Sequence, residues 1–413
     1  MLLLLALAQV PQPPLPEPYA TKSVAKFANV VGWPADKTPT APPGFTVTAF
    51  AADLDSPRWL YLLPNGDVLV AQSRTLPPKK PEPKEKPEER KGKVEPKNLS
   101  LTSANRITLL RDADGDGTPE VRETFLEGLN QPLGMALLGD TLFVANTDGV
   151  VAFAYQVGAT KLAGPGRKVL DLPAGGYNNH WTRNLLASRD GQKLYVSVGS
   201  GSNVAEHGTG NEILRANILE VNPDGTGLRV FAGGLRNPVG MAWEPVTGKL
   251  WTAVNERDHL GDDLVPDYMT SVADGAFYGW PFAYFGANED PRRKGERPDL
   301  VAKSVVPDVP LGAHTASLGL AFGTSDKLPA KYRGGAFVGQ RGSWNRSAFA
   351  GYKVAFVPFK AGKPSGPPED FLTGFLANDK EAYGRPVGVA FAADGALLVA
   401  DDAGNRVWRV AVQ

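Results

Sequence analysis

Six segments of the chain repeat one pattern: a turn residue, usually Pro, opens a short apolar run, a tight turn follows, and a second run returns. The copies begin at Pro57, Pro132, Arg183, Pro238, Leu318 and Pro386. PRWLYLLPNGDVLVAQ and PVGVAFAADGALLVAD show it most clearly, with Asn65-Gly66 and Asp394-Gly395 at the turns. Alternation of period two bounded by such pairs is the signature of a β-hairpin. Spacings of roughly fifty to eighty residues suit a radial array of four-stranded sheets whose long, uneven parts are loops. The expected fold is therefore all-β, a six-bladed β-propeller, which places loops of every blade around one central pocket.

Such a ring accommodates all 413 residues as one domain, because each blade adds a core layer to its neighbours. Lys and Arg balance Asp and Glu at 44 each, so no bulk field favours nucleic acid. The chain has no cysteine, which excludes disulfides and thiolate metal sites. Residues 1–8 carry an apolar run, Leu2 to Leu7, ending in the small-x-small Ala6-Leu7-Ala8. This is the pattern of a cleaved export signal, too short to span a bilayer, and it implies a periplasmic or secreted mature chain without a membrane span. Residues 9–43 are Pro-rich and without period, a linker and strap feeding the propeller of residues 44–413, with the N-terminal tail expected to pack poorly. Residues 77–97, PPKKPEPKEKPEERKGKVEPK, have hardly an apolar side chain and are expected to be a disordered surface loop. The C-terminal RVWRVAVQ has a strand pattern and is expected to share a blade with the region of Phe45 to Phe50, closing the ring.

Two clusters could carry chemistry. DADGDGTPEVRE matches D-x-D-x-D-G-x5-E position for position, with Asp112, Asp114, Asp116, Gly117 and Glu123. Carboxylates at alternate positions converge on Ca²⁺, and strand-like flanks make this a structural calcium loop in a hairpin. The second cluster joins His180, in NNHWTRNLLASRDGQKLYVSVGS, to the pair Arg236-Asn237, the acidic NERDHLGDD and the aromatic YGWP. The chain has four histidines, and one at a strand entry facing a pocket is a candidate general base. His314 could line the pocket or order a loop, whereas His207 and His259 look like surface residues.

From about Pro42 to the C-terminus the chain resembles the soluble quinoprotein sugar dehydrogenases, within them the sorbosone-dehydrogenase-like branch. The resemblance rests on PPGFTVTAFAADLDSPRWLYLLPNGDVLVAQS, RDADGDG, HWTRNLLASRDGQKLYVSVGS, FAGGLRNPVGMAWEP, NERDHLGDD, YGWP, FVGQRGSWNRS and GRPVGVAFAADGALLVADDAGNRVWRV in that order. It implies a six-bladed propeller that holds pyrroloquinoline quinone (PQQ) and Ca²⁺ over the central channel and oxidises an aldose, sorbosone or related sugar, passing electrons to an unidentified acceptor. By position His180 would be the general base, and Arg236 and Asn237 would face the quinone carbonyls. Gln131, Arg341 and Arg385 would join Arg236 and Asn237 in cofactor binding. Main-chain oxygens near Arg257 and Asp258 would hold the calcium, with Asp262 and Asp263 as the acidic pair of a second one. Val387 stands where the family has a second Arg, and no Lys matches the family's cofactor lysine. Two other functions suit a propeller, since fold alone decides none: a calcium-dependent lactonase or hydrolase, and a non-catalytic sugar- or protein-binding module.

Overall fold

The computed structural model describes residues 14–76, 102–162 and 164–413; residues 1–8, the expected export signal, and the charged insertion lie outside the described residues. Six four-stranded antiparallel sheets form the expected propeller. Their innermost strands are Pro57–Leu62, Met135–Leu138, Arg183–Ala187, Pro238–Trp243, Ser317–Phe322 and Pro386–Phe391, numbered here as blades 1 to 6. The sixth sheet contains Pro386–Phe391, Leu397–Asp401, Arg406–Val412 and, outermost, Phe45–Ala51 from the N-terminal side. Pairing of Phe45 with Val412 closes the ring as the sequence predicts.

The second strand of most blades is buried along its whole length, as in Val68–Gln72 and Leu397–Asp401. The reason is that both faces meet a neighbour. Leu69 packs with Met135 and Phe153 of blade 2, while Val70 packs with Leu398 and Val407 of blade 6. Truncating such a residue to Ala costs about 2–5 kcal/mol. The Pro-x-Gly phrase that opens several blades has a packing cause. A Cβ on Gly240 would lie 2.5 Å from the Leu318 carbonyl oxygen, so a side chain there would wedge the innermost strands of blades 4 and 5 apart.

Residues 14–43 correct the expectation of a poorly packed tail. Ala28 is fully buried, Asn29–Val30 pairs in parallel with Glu381–Ala382, and Trp33 Nε1 donates to Asp401 Oδ2 at 2.6 Å. The Trp33 ring sits edge-on to Trp408 at 4.8 Å. Prolines already restrict this segment, so ordering it against aromatic partners loses less entropy than its composition suggests. Among the described residues no helix is long and apolar enough to cross a membrane.

Candidate active site at the channel mouth

In every blade the innermost strand begins on the face where the second strand ends, because the two are antiparallel. Residues just before an innermost strand and just after a second strand therefore converge on one mouth. Gln131, His180, Arg236, Asn237, His314 and Arg385 belong to the first set; Ser200, Asp258, Arg341 and Asp402 belong to the second.

His180 Nδ1 lies 2.9 Å from both the Ser200 carbonyl oxygen and the Ser200 hydroxyl. That hydroxyl donates its own hydrogen to the Ser202 carbonyl at 2.6 Å, so it can only accept from the ring. The network thus assigns the proton to Nδ1 and leaves Nε2 with a free lone pair. Burial, and then the charge of Arg236, push this imidazole from its ordinary 6.5 down to about 3. A histidine depressed in the folded state favours the neutral form, so its contribution to stability is lost as pH falls below 6.5, not as it rises. The expected consequence for activity is a kcat/KM profile without an acid limb near pH 6.5. A limb there that disappears in His180→Gln would contradict this geometry.

Asn237 stands beside His180 with its side-chain Oδ1 buried and unpartnered. Gly199 allows this proximity, since a Cβ there would lie 2.5 Å from His180 Cβ and closer still to Asn237 Oδ1. Gly199→Ala is expected to lower turnover by about 100-fold through misplacement of both side chains. The crowding should also cost about 1–3 kcal/mol of stability; a folded variant that keeps full turnover would show that Gly199 does not place these side chains.

Arg236 is buried, and each of its five N–H groups has a partner. They donate to the carbonyls of Asn203, Asn255 and Glu256, to Asn203 Oδ1 at 2.9 Å and to Asp258 Oδ2 at 3.0 Å. In this arrangement all five N–H groups of Arg236 are engaged within the protein, and it holds Asp258. The other Asp258 oxygen meets His314 Nδ1 at 3.2 Å, and His314 Nε2 donates to the Gly261 carbonyl at 2.8 Å. Burial alone would lower the His314 pKa, but the hydrogen bond and charge of Asp258 raise it above 6.5. Both nitrogens of His314 are thus engaged, and the ring orders the loop. Its contribution to stability is full below 6.5 and is lost as pH rises through the folded pKa. A thermal-stability profile should decline on the alkaline side, and His314→Gln should flatten that decline.

Across the mouth stand three guanidinium groups. Arg58 Nη1 and Arg341 Nε both bind Asp402 Oδ2, at 2.5 and 2.7 Å. Arg385 lies in the same electrostatic group, with Nη2 3.3 Å from the Ala28 carbonyl. Desolvation, and the charges of Arg341 and Arg385 acting against Asp402, push Arg58 down to about 10. Nε of Arg58, Nε of Arg385 and Oδ1 of Asp402 are buried without partners. The neighbouring Asp401 is held by Trp33, Trp408 and the Arg385 and Gly404 N–H groups, and burial raises its pKa. Three cations against one ion-paired carboxylate suit an anionic ligand. Trp181, next to His180, links the two halves: Arg58 lies 5.2 Å from its ring centroid, and its Nε1 donates to Thr75 Oγ1 at 2.9 Å. Gln131 is a neighbour in this region, donating to the Arg74 carbonyl at 2.7 Å.

The metal expectations fare differently. Asp112, Asp114 and Asp116 do come together, and Glu120 completes their group. Glu123 is corrected: it lies within the strand Val121–Leu126, paired opposite Leu109, too far along the ladder to turn back. Among the described residues no other group of three or more metal-ligating side chains forms. Asp262 is engaged with Ser347, and Asp263 pairs with Arg346 at 2.8 Å. The Asp258 carbonyl already accepts from Asn203 and Arg257, and the Arg257 side chain pairs with Asp290.

Sequence reasoning missed Arg58, Trp181, Ser200, Asp402, Gly199 and Glu120. One signal was available for the first. Arg58 and Arg183 occupy a repeat position that holds Leu133, Val239, Leu318 and Val387 in the other blades. Asp402 and Ser200 carry no such mark.

The family model described as TrAA12-like matches residues 102–270 and 291–413, most of the chain. The chain belongs to the TrAA12-like family. A PQQ-dependent pyranose dehydrogenase of Coprinopsis cinerea is 26% identical over 326 residues, covering 63% of this chain and 43% of that protein. The aldose sugar dehydrogenase of Escherichia coli is 34% identical over 113 residues, 26% of this chain and 28% of that one. An uncharacterized protein of Borreliella burgdorferi is 30% identical over 241 residues, 58% of this chain and 62% of its own. The chain thus spans between 28% and 62% of the length of these relatives. In fold, the PQQ domain of the Coprinopsis cinerea pyranose dehydrogenase superposes with a TM-score of 0.72 at 21% identity, over 93% of this chain and 100% of that one. A Trichoderma reesei structure of carbohydrate-active enzyme family AA12 gives 0.71 at 18%, over 91% and 97%.

Proposed function

We propose that this chain is a sugar oxidoreductase that binds pyrroloquinoline quinone across the channel mouth and oxidises an aldose or other pyranose. One observation carries the reading: a neutral imidazole with a free Nε2 faces the same mouth as three guanidiniums, of which two, Arg58 and Arg341, share one carboxylate and the third, Arg385, has no ion pair there among the described residues. The names of the pyranose and aldose sugar dehydrogenases among its relatives support it.

The residues present fit the cofactor. A planar tricarboxylate needs several fixed cations, and the unpartnered Nε groups of Arg58 and Arg385 supply donors without breaking an internal bond. Arg58, Arg341 and Arg385 would hold its carboxylates, and the unpartnered Oδ1 of Asn237 could accept a hydrogen bond from an N–H or O–H of the ligand or the sugar. When bound, the quinone supplies the hydride acceptor. His180 Nε2 takes the proton of the sugar hydroxyl whose carbon is oxidised, and the Ser200 contacts keep the ring in the tautomer that can do so. Arg236, fixed by its five hydrogen bonds, would favour negative charge developing near Asn237. Export to the periplasm or medium and transfer of electrons to a separate acceptor belong to the same proposal.

Reconstitution of the purified chain with PQQ and Ca²⁺, followed by dye reduction over a panel of aldoses and pyranoses, tests it. The expected result is a shift of the quinone absorbance on binding and turnover with at least one sugar. No spectral change at saturating quinone would overturn the reading and favour a sugar- or protein-binding module.

The acidic loop is proposed to hold one structural Ca²⁺. Backbone N–H groups of Gly115 and Gly117 bond Asp112 at 2.9 and 2.8 Å, and Ala113 N–H bonds Glu120 at 2.7 Å, so the four carboxylates are gathered by the turn itself. An ion bound only by the folded state stabilises it by about 2.7 kcal/mol at a hundredfold excess over Kd. Chelation should therefore lower the melting temperature of the wild type and leave Asp114→Ala unmoved. An equal drop in both would place the stabilising calcium elsewhere.

A further inference from the structure

Leu133, Val239, Leu318 and Val387, one from each of four blades, meet in a single apolar cluster where the innermost strands crowd together. Arg183 holds the corresponding position in blade 3 and is fully buried. Among the described residues no carboxylate lies within ion-pair distance of it, unlike Arg58, which has Asp402. Such an uncompensated cation is costly, and nothing in the packing of a propeller calls for one.

Its hydrogen bonds show where it acts. Nη1 donates to the carbonyls of His180 at 2.6 Å and Thr182 at 2.9 Å. Nη2 donates to the Pro173 carbonyl at 2.7 Å and to Asn178 Oδ1 at 2.9 Å. All four acceptors belong to residues 173–182, the loop that delivers His180. Arg215, from the neighbouring loop of the same blade, adds a second bond to Asn178 Oδ1 at 2.8 Å. The guanidinium therefore ties both ends of that loop to its middle, and its Nε remains without a partner.

We propose that Arg183 is the positioning residue for His180: it closes the 173–182 loop around its own guanidinium, aims Nε2 at the mouth, and lends the ring a nearby positive charge. This rests on the reading of His180 as the general base. The charged groups facing the imidazole are Arg236 and Asp258 from blade 4 and Arg183 from its own blade, and the first two oppose each other. Ser200, which holds Nδ1, is neutral. Arg215 and Asp148 act on Arg183 itself. Among the described residues Arg183 has no carboxylate in direct contact, Asp148 acting on it only at a distance, and it adds to the groups that disfavour a second proton on the ring.

Isotope-labelled histidine, followed by NMR through a pH titration of the full chain, reads this directly. The His180 signal among the four histidines is identified by its absence in His180→Gln. In the wild type it should keep the Nδ1–H neutral form through pH 5. In Arg183→Gln, which loses the charge, its titration should move up, by less than removal of Arg236 would move it. Arg183→Lys keeps the charge but cannot bridge both ends of the loop. It should hold the titration low while kcat falls about 10- to 100-fold with little change in KM. A folded Arg183→Gln with an unmoved His180 titration overturns the proposal, as does full turnover in Arg183→Lys. If Arg183→Gln fails to fold, Asn178→Ala removes one acceptor from the partly exposed loop. There, loss of the fixed Nδ1–H tautomer supports the proposal, and an unchanged tautomer with unchanged kcat overturns it. Failure of the dehydrogenase reading would show separately, as a wild type that turns over no sugar while the NMR arm still reports on Arg183.

Discussion

His180→Ala is expected to lower kcat by about two to four orders of magnitude, the range supplied by a positioned general base. Quinone binding should survive, because the cationic cradle of Arg58, Arg341 and Arg385 lies on other blades and touches His180 only by way of Trp181. The split between chemistry and binding is the discriminating feature. It follows from the Ser200 contacts, which leave Nε2 as the one lone pair on the ring that can take a proton. Single-turnover reduction of bound quinone, monitored by absorbance, separates the two. Retention of turnover within about tenfold of wild type would remove His180 from the base role. His314 could not inherit that role, since both its nitrogens are engaged and its partner Asp258 raises its pKa.

Arg385→Met is expected to weaken quinone binding by about 10- to 100-fold, equivalent to about 1.5–3 kcal/mol for a hydrogen bond to a charged group. The stability of the quinone-free protein should move the other way or not at all. Burial and the neighbouring Arg341 lower the Arg385 pKa, so in the absence of an anion its charge is held at a cost. Removing it relieves repulsion in the cluster and leaves Asp402 its two direct partners, Arg58 and Arg341. Isothermal titration with quinone and thermal melts without it test the two signs together. Asp402→Asn gives the complementary result: it leaves the buried Arg58 and the part-buried Arg341 without their carboxylate and should destabilise the chain by about 3–5 kcal/mol. A large loss of stability in Arg385→Met with unchanged quinone affinity would show that Arg385 is structural and that the cradle is not an anion site.

How far the sequence reached depended on the range of the interactions involved. The six hairpins are local features, with turn chemistry at Asn65-Gly66 and Asp394-Gly395 and apolar runs beside it, so their number was legible. Closure of the ring was legible too, because Phe45–Ala51 and Arg406–Val412 are edge-patterned runs at opposite ends of one chain. The placement of His180 and Asn237 at a common mouth came from motif resemblance and from the rule that blade-opening loops share a face. The packing of residues 14–43 was not legible, because their anchors, such as Trp33 against Trp408 and Asp401, are nearly four hundred positions away.

The sequence by itself determined the repeating hairpin, the blade count and the residue types at the mouth, since each depends on neighbours within one or two turns of chain. Tertiary structure alone decided which charges meet. Arg58 and Asp402 are 344 positions apart and form the centre of the cradle, whereas Arg236, expected to face a ligand, is saturated by five acceptors from its own surroundings. It also decided that Glu120, not Glu123, joins the acidic loop, because the strand beginning at Val121 carries Glu123 away. Composition and spacing specify which donors and acceptors a chain carries. Whether a given one is engaged or left free at a site depends on distances of a few tenths of an ångström, set only when all six blades are packed together.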